Sequence, residues 1–444
     1  MTTRTNSETE THLSGNDWSR DTLVDYFLIN GGTRLRGTVT ISGSKNAALP
    51  IMAASMLCEG ETVLRGVPDL ADVRTLGELL SELGVKVRRE ANGDLHLAVK
   101  DEMNCHARYD LVRRMRASVC VMGALVAKRR KAQVAMPGGC AIGFRPIELH
   151  LQGLTALGVD AELVGGDVHL KAKKLVGNEI FLGGPFGSSV TATANVMMAA
   201  SLAEGRTIIE QAACEPEVTD LANYLNQCGA NITGQGSPRM VIEGVSTLTG
   251  CEYSVIPDRI EAGTFMIGAA ITNGEVRLQN CRLEHLLAVV DRLRHVGVNV
   301  DRDKGEAVVS SARRLEPIEM TTQPFPGFPT DLQAQLVALL CLAEGNSVIT
   351  EKIYPDRFLH VPELNRMGAN IRKEGPTIMI QGVKKLVGAP VMASDLRASA
   401  ALVLAGLIAK GETRVNRVYH IDRGYEQIEK KLGALGADIR RLAE

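Results

Sequence analysis

Residues 188–244 read SSVTATANVMMAASLAEGRTIIEQAACEPEVTDLANYLNQCGANITGQGSPRMVIEG, and this stretch contains one complete structural unit. It opens with small and apolar residues that predict a buried helix, because no face of the run is polar. RTIIEQ then predicts a strand, and EPEVTDLANYLNQCG predicts an amphipathic helix that ends at Gly229. The remainder predicts a hairpin with a glycine-containing turn. The predicted order is therefore buried helix, strand, surface helix and two strands.

The same unit recurs six times along the 444-residue chain. Its most regular mark is a glycine that ends the surface helix and precedes a strand. Successive glycines lie 74, 71, 68, 71 and 68 residues apart, at Gly84, Gly158, Gly229, Gly297, Gly368 and Gly436. A near-constant period indicates one supersecondary unit used repeatedly. The first helix of each unit is apolar nearly all round, so we expect it to lie inside a domain.

The two ends of the chain indicate how the units are divided. The sixth unit stops at GADIRRLAE, short of its last strands, whereas YFLINGG and RLRGTVTIS near the start are strands without a unit. We therefore expect the N-terminal strands to complete the last unit. The length predicts two domains of three units each. One would combine residues 25–44 with 257–444, and the other would span 45–256, after a disordered polar tail at 1–24.

Composition excludes several functional classes. A net charge of −1 gives no support for nucleic-acid or membrane-surface binding, and apolar runs such as ALVLAGLIA are too short to span a bilayer. Nine scattered cysteines without metal-ligand spacing favour a reduced cytoplasmic setting over disulfides or zinc. The N-terminal residues lack the apolar segment of a signal peptide. Neither a P-loop nor a dinucleotide-binding glycine motif follows a predicted strand.

Charged residues stand at the N-terminal ends of the buried helices and in the turns after the following strands. Helix N-termini favour anions, so a cation there is unfavourable unless an anion or a carboxylate is close. Any one arginine could pair with a sequence neighbour. Repetition across units instead predicts a small polyanionic substrate held where helix ends of both domains meet. The residues are Lys45, Asn46, Arg116, Arg259, Asp331 and Arg397 at the helix ends, Cys140, Arg145, Arg357 and Arg423 in the turns, and Asp258, Asp356, Asp395 and Asp422 as candidate neighbouring partners.

The second unit departs from the shared pattern. Its strand-to-helix turn, residues 136–146, reads MPGGCAIGFRP, and three glycines within six residues predict a mobile or tightly turned loop. Cys140 lies between small residues of this loop, and Arg145 supplies a positive field that favours the thiolate. We therefore predict that Cys140 is reactive. The other cysteines are expected to behave as buried apolar residues.

Together these segments resemble the UDP-N-acetylglucosamine 1-carboxyvinyltransferases, a family of enolpyruvyl transferases. The matching motifs occur in order over residues 25–444, and they are SGSKNAALP, MRAS, PGGCAIGFRP, EPE, PDRIEAGTF, FPTDLQAQ, RFLHVPEL, DLRASAALVLAG and YHIDRGYE. The resemblance implies a two-domain inside-out α/β fold, in which each domain has three βαβαββ units around buried helices. It also implies that the N-terminal strands join the second domain.

The resemblance further implies a reaction and its residues. The sugar 3′-hydroxyl would add to phosphoenolpyruvate and phosphate would then leave, in the first committed step of peptidoglycan synthesis, without a metal or cofactor. Cys140 matches the catalytic cysteine that protonates C3, and Asp331 matches the candidate general base. Lys45, Arg145 and Arg423 would neutralise phosphate, while Arg357 and Arg397 would hold the carboxylate. Asn46 would bridge to the substrates, and the UDP-sugar wall would comprise Arg116, Arg145, Pro146, Ile147, Glu148, Leu149, Ser189, Val190 and Ile353.

Three residues depart from the commonest family pattern, and all lie near the expected nucleotide-sugar wall: Gly187, Thr191 and Pro355. They leave open a paralogue with altered nucleotide-sugar specificity. A non-catalytic UDP-sugar-binding regulator is a second alternative, although Cys140, Asp331 and Lys45 are all present. The related transferase that acts on shikimate 3-phosphate has no loop cysteine. A solute-binding protein would also have two domains around a cleft, but it would not need six copies of one unit.

Overall fold

The computed structural model describes residues 25–136, 147–311 and 314–443. Within these ranges the α-helices are α1 Lys45–Ala54, α2 Ala71–Glu82, α3 Tyr109–Val112, α4 Val121–Arg129, α5 Glu148–Ala156, α6 Val190–Ser201, α7 Pro216–Gln227, α8 Arg259–Ile271, α9 Leu287–His295, α10 Gln333–Leu340, α11 His360–Arg366, α12 Leu396–Gly406 and α13 Ile428–Ala434. Short 3₁₀ helices are Ser55–Leu57, Arg116–Cys120, Leu283–His285, Thr330–Leu332 and Val418–Arg423.

The strands of the first half of the chain are β1 Tyr26–Asn30, β2 Arg36–Thr40, β3 Cys58–Glu59, β4 Glu61–Arg65, β5 Val85–Arg89, β6 Leu95–Val99, β7 His106–Ala107, β8 Lys131–Ala135, β9 Asp160–Val164, β10 Asp167–Lys171, β11 Glu179–Phe181, β12 Gly183–Gly184, β13 Gly187–Ser188, β14 Arg206–Glu210, β15 Asn231–Thr233, β16 Arg239–Glu243, β17 Leu248–Thr249 and β18 Glu252–Ser254. Those of the second half are β19 Glu275–Gln279, β20 Asn299–Asp303, β21 Glu306–Ser310, β22 Glu319–Thr321, β23 Asn346–Thr350, β24 Asn370–Glu374, β25 Thr377–Gln381, β26 Pro390–Met392, β27 Glu412–Asn416 and β28 Asp438–Leu442.

In the part of the chain that the structure describes, six four-stranded sheets share one topology. Their orders are β18-β4-β6-β5, β7-β8-β10-β9, β11-β14-β16-β15, β2-β19-β21-β20, β22-β23-β25-β24 and β26-β27-β1-β28. In each sheet the first strand pairs parallel with the second, and the remaining pairs are antiparallel. The six-fold repeat read from the sequence is confirmed as one strand arrangement used six times.

The N-terminal strand completes the sixth sheet, as the sequence predicted. Strand β1 lies between β27 and β28, with Phe27 opposite Val415 and Ile29 opposite Ile439. Strand β2 does not join that sheet, because it pairs parallel with β19 in the fourth unit. In the same way β18, which follows the third unit, pairs parallel with β4 of the first. Each half of the chain is thus closed by a strand from a distant position.

The repeated glycines are explained by backbone conformation. All six follow surface helices and have φ between +84° and +105°, in the left-handed region where a side chain is strained. This geometry ends each helix and turns the chain into the next strand. The sequence period is therefore set by a conformational requirement at the end of each surface helix.

Buried apolar residues form two clusters among the described residues. One contains residues from 47 to 256, and the other contains residues 27–41 and 260–439. Helices α1, α4 and α6 lie in the first cluster, and α8, α10 and α12 lie in the second, buried on nearly every face. No helix in the described ranges is long and apolar enough to cross a bilayer.

Candidate active site

Two cations and one carboxylate meet at the N-terminal ends of α1 and α2. Lys45, the first residue of α1, donates to Asp72 across 2.9 Å between Nζ and Oδ2. Arg423, which ends the 3₁₀ helix Val418–Arg423, donates through Nε to the other oxygen of Asp72, also at 2.9 Å. Lys45 and Asp72 belong to the first cluster's half of the chain, whereas Arg423 comes from the second. This Lys45–Asp72–Arg423 group therefore connects the two halves.

A second group of two cations and one carboxylate lies at the ends of α10 and α12. Asp331 accepts from Arg357 Nη1 at 2.7 Å and from Arg397 Nη2 at 2.8 Å, one guanidinium on each oxygen. Arg357 also donates to Thr330 Oγ1 at 3.0 Å. Arg397 is 3% exposed, so its positive charge is removed from water, and the carboxylate of Asp331 compensates for it.

Tyr425 contacts the second group directly and lies two residues after Arg423 of the first group. Its hydroxyl contacts Arg397 Nη1 at 3.2 Å and Thr264 Oγ1 at 2.8 Å, and it accepts from Gln335 Nε2 at 3.1 Å. The guanidinium of Arg397 also lies over the Tyr425 ring, 5.6 Å from its centroid. Arg423 is only two residues away, so one short segment contributes to both groups.

Both central carboxylates are held ionised. Burial alone would raise the pKa of Asp331, but the guanidiniums of Arg397 and Arg357 lower it well below its ordinary value. For Asp72, Lys45 and Arg423 likewise outweigh burial and lower the pKa. Each group consists of two cations and one anion, and so keeps one positive charge in excess. That excess is suited to an anionic ligand.

The sequence neighbours proposed as ion-pair partners are not the partners observed. Asp258 and Asp395 cap α8 and α12, where their carboxylates accept backbone N–H groups. Asp356 pairs with Lys373, and Asp422 pairs with Arg441. The alternative of pairing between sequence neighbours is therefore not observed, and for Asp258 and Asp395 the reason is that a residue before a helix turns its side chain back to the free N–H groups.

Arg259 pairs with a carboxylate from the other half of the chain. Its Nε and Nη2 donate to the two oxygens of Glu217 on α7, at 2.9 Å and 3.2 Å. Its guanidinium also lies 5.7 Å from the centroid of the Phe325 ring. Phe325 N donates to Glu215 at 3.4 Å, beside the same contact. Arg259 is thus engaged in holding the halves together.

The residues predicted to line a nucleotide-sugar site lie on neighbouring elements. Arg116 begins the 3₁₀ helix Arg116–Cys120, while Ile147, Glu148 and Leu149 stand at the start of α5. Ser189 caps α6 by accepting from Ala192 N at 3.3 Å, and Val190 beside it is 36% exposed. The start of α5 meets the β12–β13 hairpin, because a Cβ on Gly184 would lie 3.0 Å from Leu149.

Two further predicted residues lie beside the charged groups. Asn46 follows Lys45 in the first turn of α1. Ile353 is held by Glu351, a fully buried carboxylate that accepts from Ile353 N at 2.8 Å and from Thr330 Oγ1 at 3.0 Å. Glu351 therefore links the Ile353 turn to the segment that carries Asp331.

The remaining predicted residues, Cys140, Arg145 and Pro146, lie outside the described residues. Eight other cysteines are described, and all are free thiols. Burial raises the pKa of Cys120 and of Cys341 to about 12, which keeps these thiols protonated and unreactive. Burial raises the pKa of Cys281 to about 12 as well, whereas a hydrogen bond with Cys228 lowers the pKa of Cys58, so the expectation of an unreactive buried thiol fits Cys120, Cys281 and Cys341 but not Cys58.

Sequence reasoning missed several residues that organise the site. Asp72 stands in the first turn of a surface helix, where an acidic residue is ordinary and gives no signal. Glu351 follows a strand without a distinctive motif, and Tyr425 lies in the motif YHIDRGYE, where only Arg423 was given a role. Glu217 lies in the motif EPE, but nothing in that motif names its partner Arg259. No cluster of three or more metal-ligating side chains occurs in the ranges that the structure describes.

The sequence of this chain is similar to those of known carboxyvinyltransferases. A model of the EPSP synthase family (3-phosphoshikimate 1-carboxyvinyltransferase) matches residues 29–432. A UDP-N-acetylglucosamine 1-carboxyvinyltransferase of Methylacidiphilum infernorum is 51% identical over 419 residues, covering 94% of this chain and 99% of its own. One from Nitratidesulfovibrio vulgaris strain DP4 is 52% identical over 423 residues, covering 95% of this chain and 100% of its own.

Solved structures show the same fold at lower identity. The enolpyruvyl transferase NikO from Streptomyces tendae superposes with a TM-score of 0.86 at 26% identity, covering 95% of this chain and 100% of its own. An EPSP synthase from Acinetobacter baumannii gives a TM-score of 0.73 at 20% identity, covering 94% of this chain and 100% of its own.

Proposed function

The chain belongs to the EPSP synthase family, and we propose that it transfers the enolpyruvyl group of phosphoenolpyruvate to the 3′-hydroxyl of UDP-N-acetylglucosamine. The observation that carries the proposal is the identity of about half of all residues, over nearly the whole chain, with relatives named for this reaction. The reaction is a step of peptidoglycan synthesis. No observation favours altered specificity or a non-catalytic role.

The proposed reaction is an addition followed by an elimination. The 3′-hydroxyl oxygen bonds to C2 of phosphoenolpyruvate, its proton passes to a base, and C3 receives a proton. The C2–O bond to phosphate then breaks, and C3 loses a proton to restore the double bond. We assign protonation of C3 to Cys140 and the base to Asp331, as the sequence resemblance implies.

The charges of the two groups indicate where the anionic parts of phosphoenolpyruvate would bind. Phosphoenolpyruvate brings a phosphate and a carboxylate, and each group of two cations and one carboxylate has one positive charge in excess. We place phosphate near Lys45 and Arg423, with Arg145, and the carboxylate near Arg357 and Arg397. Asn46 bridges to the substrates in this arrangement. Exclusion of water by the bound substrates would strengthen each of these interactions.

Ligand binding would also activate Asp331. While Arg357 and Arg397 both donate to it, its pKa is too low for an efficient base. An anionic substrate group competes for the same guanidinium hydrogens. When that group takes them, the carboxylate regains proton affinity beside the 3′-hydroxyl. In this proposal the ion pair keeps Asp331 a weak base until the substrate binds to the two arginines.

We propose the nucleotide-sugar wall and the domain division on the same basis. The wall comprises Arg116, Arg145, Pro146, Ile147, Glu148, Leu149, Ser189, Val190 and Ile353. The domains comprise residues 45–256 and residues 25–44 with 257–444, which matches the division of the two apolar clusters. We further propose a cytoplasmic location, consistent with the free thiols among the described cysteines.

The experiment is an assay of phosphate release with phosphoenolpyruvate and UDP-N-acetylglucosamine, combined with mass spectrometry of the product. We expect release that depends on the sugar nucleotide, and at least about a hundredfold loss in Cys140→Ser because a serine hydroxyl is a far poorer acid. Shikimate 3-phosphate serves as the control acceptor and should give no product. Release that is absent in the wild type, or undiminished in Cys140→Ser, would contradict the proposal.

A further inference from the structure

A buried histidine connects two of the elements that carry the proposed nucleotide-sugar residues. His150 lies in α5 and is 2% exposed. Its Nε2 is 3.1 Å from Thr191 Oγ1, and its Nδ1 is 2.8 Å from Asn195 Nδ2. Thr191 and Asn195 both lie on α6, which begins with Val190 after the cap Ser189. The ring therefore ties the start of α5 to the start of α6.

Asn195 extends the connection to the third element. Its Nδ2 donates to Val119 O at 3.0 Å, in the 3₁₀ helix that Arg116 begins. Its Oδ1 accepts from Gly123 N in α4 at 2.6 Å. Asn195 is fully buried, so each of these bonds replaces one that water would otherwise supply. The segments bearing Arg116, Leu149 and Ser189 are held in register by one polar network.

The direction of each hydrogen bond follows from the partners. Asn195 Oδ1 is the acceptor for the N–H of Gly123, so the two hydrogens of its Nδ2 go to Val119 O and to His150 Nδ1. His150 Nδ1 consequently carries no hydrogen. The neutral ring has its hydrogen on Nε2 and donates it to Thr191 Oγ1.

The surroundings of His150 favour this neutral form. Burial lowers its pKa to about 3, and the positive charge of Arg116 acts in the same direction. A charged ring would also need an acceptor at Nδ1, where Asn195 presents an N–H. The network therefore keeps one arrangement across the ordinary pH range.

Thr191 is left with a hydrogen to donate. Its oxygen accepts from His150, and within the described residues its hydroxyl makes no other hydrogen bond. Thr191 is half-buried in the first turn of α6, one residue from Val190, which is proposed to line the nucleotide-sugar site. Because His150 donates to this oxygen, the hydroxyl hydrogen remains available for another acceptor, and a diphosphate or a sugar hydroxyl offers acceptors.

We propose that Thr191 donates a hydrogen bond to the nucleotide-sugar substrate, and that His150 and Asn195 are positioning residues that orient it. The identity of the ligand rests on the proposed function. A side chain of this kind sets affinity for the acceptor substrate without taking part in the chemical steps. Thr191 is accordingly a specificity residue of this chain.

The test is Thr191→Val, which removes the hydroxyl and nearly keeps the shape. We expect the Kd for UDP-N-acetylglucosamine, and for UDP alone if the contact is to the diphosphate, to rise about tenfold in calorimetry. The KM for phosphoenolpyruvate and kcat should stay within about twofold, because the contact is uniform in ground and transition states. Thr191→Ser should restore most of the affinity. Thr155→Val on the exposed side of α5 is the matched control and should change nothing.

Two results would overturn the inference. One is wild-type affinity in Thr191→Val. The other is a parallel loss of kcat, both KM values and thermal stability that Thr191→Ser does not restore, which would mark a structural role. Nitrogen NMR of His150 should show a neutral ring with its proton on Nε2, shifting when UDP-N-acetylglucosamine binds; a proton on Nδ1 contradicts the network.

The experiments distinguish a failure of the proposed function from a failure of this inference. If the wild type binds UDP-N-acetylglucosamine but releases no phosphate, the transferase activity is wrong, and the affinity comparison still decides the role of Thr191. If the wild type binds neither UDP nor UDP-N-acetylglucosamine, both proposals are overturned.

Discussion

The carboxylate of Asp331 has two roles with opposite requirements for its pKa. As an ion-pair partner it must stay charged between Arg357 and Arg397, and as a base it must accept a proton. Its lowered pKa satisfies the first demand in the absence of substrate. The ion pair stabilises the fold above the ordinary pKa of an aspartate, and that stabilisation is lost only as the pH falls through the lowered folded value. The carboxylate therefore stays ionised in any ordinary assay buffer.

Asp331→Asn should abolish most of the activity while leaving binding measurable. We expect kcat to fall by about two to four orders of magnitude, which is the usual contribution of a general base. The amide also leaves two buried guanidiniums undercompensated, so the thermal midpoint should fall. Steady-state kinetics, calorimetry with UDP-N-acetylglucosamine and thermal unfolding measure the three effects.

Asp356→Asn is the matched control at the residue scale. Asp356 stands next to Arg357 in sequence, yet its side chain is 81% exposed and pairs with Lys373. Its replacement should leave kcat and stability unchanged, since exposed ion pairs contribute little. An Asp331→Asn enzyme with nearly wild-type kcat would remove Asp331 from the role of base.

At the scale of elements, α4 and α5 pack against the buried helix α6 at distances that only glycine permits. A Cβ on Gly123 in α4 would lie 2.2 Å from the backbone oxygen of Asn195 in α6. A Cβ on Gly153 in α5 would lie 2.2 Å from Val196 of the same helix. These close approaches bring α4 and α5 near enough to α6 for the His150 network to form.

Gly123→Ala should therefore destabilise the fold strongly. The new methyl group meets backbone, which cannot rotate away, so we expect a loss of at least about 2 kcal/mol in the free energy of unfolding. Gly433→Ala in α13 is the control, because its Cβ would meet nothing within 4 Å and alanine favours a helix. It should be neutral or slightly stabilising. The free energies of unfolding are measured by urea unfolding followed by circular dichroism. Equal values for Gly123→Ala and Gly433→Ala would contradict the packing argument.

The sequence predicts the elements better than it predicts their partners. Periodicity and the terminal glycines identify helices and strands, because these depend on nearby residues. The pairing of Arg423 with Asp72 joins residues 351 apart, and that of Arg397 with Asp331 joins residues 66 apart. Such contacts depend on how the units pack, which local pattern does not encode. Strand β2 was placed correctly as a strand, but the prediction that it completes the sixth unit was wrong for the same reason, because it pairs with β19 of the fourth.

At the scale of the whole molecule, two chain crossings run side by side between the halves. Ser44 N donates to Ile256 O at 2.7 Å, and Asp258 N donates to Ser42 O at 2.9 Å. Around them, Arg423 with Asp72 and Arg259 with Glu217 bridge the halves through buried or half-buried charges. The Lys45–Asp72–Arg423 group is thus part of the interface between the halves, whereas Asp331, Arg357 and Arg397 all belong to the second half.

The position of β1 gives the last prediction. Strand β1 is an inner strand of the sixth sheet, and its Phe27 and Ile29 are fully buried although they come from the start of the chain. A chain lacking residues 2–24 should keep its activity and thermal midpoint, because β1 remains. A chain lacking residues 2–30 should lose cooperative unfolding in the second half, since β27 and β28 lose their shared partner and the apolar cluster is opened to water. Adding a synthetic peptide of residues 25–32 should restore part of the activity. Full activity in the longer deletion would show that the N-terminal strand is dispensable and would contradict the closure of the fold by both chain ends.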